Sequence, residues 1–189
     1  IGTLTDALTA VKYHVFDRND GTMPHLLAAL EANFGGYQDL ENKLAYQTPR
    51  YGQDNDYADA IAAEVFELYF KHVNGRPNTK GGRYRINLLP TTVHVYFGQV
   101  TGALPHGRRA GLPLSDGISP SQGTHSYGPT AVVKSAAKID HSRTGGTLLN
   151  MKFKPQVLEG DGLGKLAMLI RSYFKLEGHH IQFNVVNKE

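Results

Sequence analysis

The sequence predicts an α/β fold, and three observations carry that prediction. The first 74 residues repeat apolar positions at helical spacing only. From residue 83 onward, segments of period two alternate with segments of helical period. A glycine- and proline-rich stretch too long for an ordinary turn lies between the first β segment and the next helix. With 189 residues and 40% hydrophobic content, the chain can bury a substantial core as one domain.

Leu4, Ala7, Leu8, Val11 and Val15 recur behind Thr3 and Thr5, which predicts an amphipathic helix over residues 1–16 stopping near Asn19–Gly21. Thr22 as N-cap and Pro24 in the first turn open a second helix, expected to bury Leu26, Leu27, Leu30 and Phe34 and to end at Gly35–Gly36. A shorter helix is expected over 37–47. Asp54, Asn55 and Asp56 then offer caps for a long helix over 56–73, with Ala58, Ile61, Ala62, Val65, Leu68 and Tyr69 on one face and Asp59, Glu67 and Lys71 elsewhere. Residues 74–82 read as a linker.

Tyr84, Ile86 and Leu88 alternate as a strand would, Pro90 interrupts, and Thr92–Phe97 is rich in β-branched and aromatic residues, so a second strand is predicted there. It empties into a stretch with glycine at 98, 102, 107, 111, 117 and 123 and proline at 105, 113 and 120. No regular element survives that punctuation. The apolar residues Leu104, Leu112, Leu114 and Ile118 mark it as an ordered, packed loop of the length that usually serves function. Gly128-Pro129-Thr130 opens a helix near 130–138. Thr147–Phe153 follows as a strand with Leu149, Met151 and Phe153 on one face, Asp161 opens a helix burying Leu163, Leu166, Ile170 and Phe174, and 180–186 forms the last strand.

Composition removes whole classes of function. The net charge of +3 is small, Arg108–Arg109 is the one adjacent basic pair, and no nucleic-acid module is legible, so no nucleic-acid partner is expected. No run of 18 apolar residues and no signal-peptide pattern occurs, which predicts a soluble cytoplasmic protein without a membrane partner. Zero cysteines exclude disulfides, thiolate metal sites and a cysteine nucleophile within these residues.

Motifs tested singly fail. Gly160-Asp161-Gly162-Leu163-Gly164-Lys165 has the wrong glycine spacing for a phosphate loop, and Leu166 stands where a Ser or Thr would hold magnesium. Asp54 and Asp56 lack the glycine and distal glutamate of a calcium loop, so they read as caps. His179 and His180 would point to opposite faces of a strand, no HExxH occurs, and no metal site is expected. Ser115, Ser119 and Ser121 lack a nucleophile-elbow motif and an assigned base. What remains suggestive is a set of polar residues at strand ends: Thr91, Thr92, His94, Asn150, Gln182 and Asn184. α/β folds place ligands at such ends. His94, alternating with Thr92 and Tyr96 along the predicted strand, is the foremost, although a histidine satisfied by backbone would look the same.

Beyond pattern, the residues carry a resemblance. Pro105, Gly107-Arg108-Arg109-Ala110-Gly111, Pro113-Leu114-Ser115-Asp116-Gly117-Ile118-Ser119-Pro120 and Gly128-Pro129-Thr130-Ala131 resemble the C-terminal part of the glycyl radical enzymes, the pyruvate formate-lyase superfamily. Pro49-Arg50-Tyr51-Gly52-Gln53-Asp54-Asn55-Asp56-Tyr57, Gly146-Thr147-Leu148-Leu149-Asn150 and Gly178-His179-His180-Ile181-Gln182-Phe183-Asn184-Val185-Val186 extend it over residues 49–189, with a looser likeness over 1–48. The resemblance implies part of a ten-stranded α/β barrel built from two antiparallel half-barrels, with residues 1–74 mainly helical and 83–189 a strand, loop and helix portion of the same domain. It also implies anaerobic organic-radical chemistry. An activating enzyme using S-adenosylmethionine and an iron–sulfur cluster installs a glycyl radical, which generates a thiyl radical at a cysteine, and no cofactor is bound directly. Implied partners are a small-molecule substrate, that activating enzyme, the remainder of the same enzyme and a second copy in a homodimer.

Two departures matter. These residues hold no cysteine, and the Arg-Val-Ala/Ser-Gly-Tyr motif of the radical glycine does not occur among them, so the stretch reads as an interior fragment without the C-terminal glycine radical domain, lacking catalytic residues and inactive alone. Leu104 and His106 replace the Thr and the Asp or Asn more usual around Pro105. Leu89-Pro90-Thr91-Thr92-Val93-His94-Val95-Tyr96-Phe97-Gly98 and Gly145-Gly146-Thr147-Leu148-Leu149-Asn150 look closer to the dehydratase branch, which eliminates water from glycerol, propanediol or hydroxyproline, than to pyruvate formate-lyase itself. Decarboxylases, choline-type C–N lyases and formate acetyltransferase are the alternative chemistries, and a catalytically silent scaffold piece is the non-enzyme reading. On this resemblance Thr91, Thr92 and His94 are substrate-pocket candidates. Arg108, Asp116 and Asn150 are expected to shape the cavity loop, Arg108 by donating to backbone carbonyls.

Overall fold

The computed structural model describes residues 1–124 and 127–186. In chain order the elements are α1 (Gly2–Val11), α2 (Met23–Glu31), α3 (Gln38–Tyr46), α4 (Asp56–Val73), α5 (Val93–Val100), α6 (Pro129–Ala136), β1 (Leu149–Phe153), α7 (Gly162–Lys175) and β2 (Ile181–Val185). β1 and β2 pair in parallel, Leu149 opposite Ile181 and Phe153 opposite Val185, and α7 is the helix between them. The fold is therefore α/β, entered through a helical region.

Local sequence explains most boundaries. Thr22 accepts the His25 N–H at 3.4 Å and Pro24 sits in the first turn of α2. Asn55 caps α4 by accepting the Tyr57 N–H at 3.1 Å, while its neighbours Asp54 and Asp56 instead receive Lys134 and Lys138, each at 2.8 Å. α1 runs on into a π-helical turn, Lys12–Asp17, that sets His14 between Asp20 at 2.9 Å and the Thr48 hydroxyl at 3.0 Å. Two cores result. One gathers Phe66, Ile86, Ile118, Val133, Leu149 and Tyr173 where α4, α6, α7 and β1 meet; the other joins Ala10, Leu26, Ala29, Phe34 and Leu44 of the helical region.

Several expectations are corrected. The predicted strand Thr92–Phe97 is helix α5. Strand propensity reports fit to a neighbouring strand more than an intrinsic backbone preference, and this run has no strand beside it. Its helical carbonyls are satisfied locally: the Thr101 hydroxyl donates to Phe97 O at 2.6 Å and Arg108 donates to Gly98 O at 2.8 Å. His94 and Tyr96 therefore do not alternate on a strand face. Residues 83–88 are extended but form only isolated bridges, Arg83 with Pro77 and Leu88 with Thr147.

The buried helix faces are also rotated from those expected. α1 buries Thr5, Asp6, Thr9 and Ala10 and leaves Leu4 53% and Leu8 44% exposed. Leu27 is exposed on α2, and Leu68 and Tyr69 are exposed on α4, which buries the expected Ala58 and Ala62 together with Asp59 and Phe66. On α7, Leu169 and Tyr173 are buried while Leu163 and Phe174 face outward. On α1 and α4 the inward-facing carboxylates have partners that offset their burial: buried Arg50 for Asp6, and buried Ser135 with the partly exposed Lys138 for Asp59. Among the described residues no helix is long and apolar enough to cross a membrane.

Candidate functional site

The long loop is fastened along its whole length by side chains from the helical region. Ser115 N–H donates to the Thr3 hydroxyl at 2.7 Å, Ala110 N–H to the Asn33 side chain at 2.7 Å, and Arg109 grips Glu41 with two bonds of 2.7 and 2.6 Å. Tyr51, fully buried, donates its hydroxyl to Ile118 O at 2.8 Å. Beneath these ties lies Arg50, 7% exposed, which donates to His106 O at 2.5 Å and faces Asp6 at 3.4 Å. Burial pushes the Asp6 carboxyl up to about 6 against the pull of Arg50. Burial, helped by the charges of Arg50 and Arg108, pulls His106 down to about 3, so its imidazole is neutral at physiological pH. Arg50, His106, Arg108, Thr48 and Ser121 line part of a cavity of about 690 Å³, which none of Thr91, Thr92 and His94 reaches.

Arg108 collects backbone oxygens. It donates to Gly98 O and Gly102 O, both at 2.8 Å, to Leu112 O, and more distantly to Thr101 O at 3.4 Å. One guanidinium fork thus closes the C-terminal end of α5 and the start of the loop together. The fit is tight, because a Cβ on Gly98 would lie 2.3 Å from Leu112 O.

At the other end of α5 stand the remaining predicted residues. Thr91 and Thr92 are exposed, and Thr91 is held at φ +55°, a left-handed conformation that costs a β-branched residue roughly 1–3 kcal/mol. His94 Nδ1 lies 3.1 Å from Thr91 O and 3.7 Å from Asp116 Oδ1. The second Asp116 oxygen accepts from the Asn150 side-chain amide, and Asn150 N–H donates to the Ser119 hydroxyl at 2.9 Å. The structure thus brings His94, Asp116 and Asn150 together beside the Thr91 turn and leaves Arg108 apart. Gln182 lies on β2 directly opposite Asn150 in the parallel pairing, and its side chain meets that of Asn184 at 3.4 Å. Asp6 and Arg50 were missed by sequence reasoning. The available signal was an aspartate amid small residues of a helix, Thr5-Asp6-Ala7, where a solvent-facing charge is the usual reading.

Residues 1–98 match the family model described as pyruvate formate lyase-like, and residues 114–189 match the model described as glycine radical. The chain belongs to the pyruvate formate lyase-like family. It is 54% identical, over its whole length, to the trans-4-hydroxy-L-proline dehydratase of Clostridioides difficile, covering 24% of that protein. It is 40% identical to the isethionate sulfite-lyase of Bilophila wadsworthia, again over its whole length and covering 23% of it. Among solved structures, the hydroxyproline dehydratase of Clostridioides difficile with trans-4-hydroxy-L-proline bound superposes with a TM-score of 0.95 over 98% of this chain and 24% of that one, at 54% identity. The glycerol-bound glycerol dehydratase of Clostridium butyricum gives 0.92 over 98% of this chain and 24% of that one, at 43% identity. The chain thus spans about a quarter of the length of these relatives. Within residues 114–189 no Arg-Val-Ala/Ser-Gly-Tyr sequence occurs, and the 189 residues contain no cysteine. Among the described residues no three metal-ligating side chains gather.

Proposed function

We propose that the protein containing this chain is a glycyl radical dehydratase, a C–O lyase that removes water from a small hydroxylated substrate of the 4-hydroxyproline, glycerol or propanediol kind. The observation that carries this reading is the 54% identity, unbroken through the whole chain, to a hydroxyproline dehydratase. In this reading residues 1–189 form one portion of a ten-stranded barrel, and the rotated, solvent-facing apolar sides of α1, α4 and α7 are the surfaces that the remainder of the barrel covers. The radical, installed by an activating enzyme that uses S-adenosylmethionine and an iron–sulfur cluster, would supply hydrogen-atom abstraction from residues outside these 189. This chain supplies the wall. Thr91 and Thr92 meet a substrate hydroxyl at the start of α5, and Arg108, Asp116 and Asn150 keep the loop that seals the cavity closed to water. A cytoplasmic homodimer belongs to the same reading.

The 40% identity to an isethionate sulfite-lyase favours one second reading, C–S cleavage of a hydroxysulfonate. The full-length protein, co-expressed with its activating enzyme under anaerobic conditions, decides between them. The radical is quantified by electron paramagnetic resonance, and products from trans-4-hydroxy-L-proline, glycerol, propanediol and isethionate are followed by mass spectrometry. A dehydrated product from one of the hydroxylated substrates is the expected result. Sulfite release from isethionate alone would replace the dehydratase reading, and turnover of none by radical-bearing protein would end it.

A further inference from the structure

Three separate stretches meet at the N-terminal end of α5. Thr91 sits at φ +55° without the freedom of a glycine, so its conformation must be held from outside. The holder is His94, whose Nδ1 lies 3.1 Å from Thr91 O and 3.7 Å from Asp116 Oδ1. A carbonyl can only accept, so Nδ1 carries the hydrogen and donates it to Thr91 O, while Asp116 Oδ1, at 3.7 Å, lies beyond hydrogen-bond reach and faces the ring as a polar neighbour. Asp116 Oδ1 is shut off from solvent and has no hydrogen-bond partner, and the His94 ring at 3.7 Å is a polar group that faces it. The other Asp116 oxygen is taken by Asn150 of β1. The backbone repeats the tie: Leu114 N–H donates to His94 O at 3.1 Å, and Val93 N–H donates to Pro90 O at 3.2 Å.

We propose that His94 and Asp116 are positioning residues, a clasp anchored on Asn150 that keeps the Thr91–Thr92 turn left-handed and so presents it to the substrate. His94 is then no substrate contact itself. The inference rests on the reading that Thr91 and Thr92 line the substrate pocket, and it assigns the loop aspartate a role distinct from sealing.

The test uses the full-length activated protein carrying His94→Ala, Asp116→Asn, both together, and Asp116→Asn with Thr91→Gly. Radical content by electron paramagnetic resonance is expected to stay at the wild-type level. Each single variant should raise KM about tenfold with little change in kcat, and the double variant should be no worse than either, since the two residues act through one contact. Amide exchange at Val93 and Leu114 should speed up in Asp116→Asn and return toward wild type when Thr91→Gly is added, because glycine adopts the left-handed turn unaided. Additive kinetic effects, or exchange that Thr91→Gly fails to restore, would overturn the clasp. Thr91→Ala and Thr92→Ala separate the two readings: if neither moves KM while the exchange pattern holds, the pocket assignment has failed and the clasp positions nothing for substrate.

Discussion

Replacing Arg108 by lysine is the sharpest test of how the loop is built. The guanidinium serves Gly98 O and Gly102 O at 2.8 Å, together with Leu112 O, from one planar fork. Each hydrogen bond from a charged donor contributes about 1.5–3 kcal/mol. A lysine ammonium is a single point on a flexible stem and can retain about one of the three. Taking the lower figure for the two lost, Arg108→Lys should cost about 3 kcal/mol of local stability, which is roughly a hundredfold in the opening equilibrium. Hydrogen exchange reads it directly. The Gly111 N–H, bonded to Thr101 O, and the Leu104 N–H, bonded to Arg108 O, should exchange roughly a hundred times faster in the variant, by that arithmetic, while Tyr173 and Leu149 amides in the distant core stay protected. If protection at Gly111 and Leu104 is the same in Arg108→Lys as in wild type, the fork does not hold the loop.

Gly98→Ala should destabilise the protein by about 1–3 kcal/mol, since its Cβ would lie 2.3 Å from Leu112 O and 2.7 Å from Pro113 Cα; the thermal midpoint measures this. Leu149→Ala, at a fully buried position of the larger core, should cost about 2–5 kcal/mol and lower the midpoint further. Asp6 gives a pH signature. Its folded pKa of about 6 lies above the unfolded value of 3.8, so the folded state binds the proton more tightly, and this group's contribution falls as pH rises from about 4 to 6. Stability of wild type minus that of Asp6→Asn, measured by urea titration across that range, should therefore decline with pH by about 3 kcal/mol, and a flat difference would contradict the burial argument.

The legible part of this fold was the part written in local signals. Thr22 with Pro24, Asn55 among its aspartates, the glycine before Pro129 and the alternation of Leu149, Met151 and Phe153 each fix an element through contacts a few residues away. The illegible part depended on residues far apart. Nothing near Thr5-Asp6-Ala7 announces that Asp6 will meet Arg50 and the Tyr51 N–H, and with Asp6 on the inner side of α1, Leu4 and Leu8 look outward. Val93 to Phe97 has every local mark of a strand, but its end is capped by an arginine ten residues past Gly98. For the site, His94, Asp116 and Asn150 were each recognisable as polar residues at special places, while their meeting is a product of the loop's path over β1. Asn150 could be placed on the correct side of its strand by period alone. Asp116 could not be placed opposite it without the ties at Thr3, Tyr51 and Ile118.

The parallel pairing of β1 with β2 also bears on synthesis. Among the described residues β2 is the strand beside β1, and the intervening stretch of about 30 residues takes roughly 2–6 s to make at ordinary rates of elongation. During that interval the edge of β1 that β2 will occupy is open beside the apolar row Leu149, Met151 and Phe153, the kind of segment that seeds association between nascent chains. Asn150 and Lys152, set between them, act as gatekeepers: every second side chain resists dry stacking against a copy of itself. The same lysine that contributes nothing to the finished core thus protects the strand while it waits.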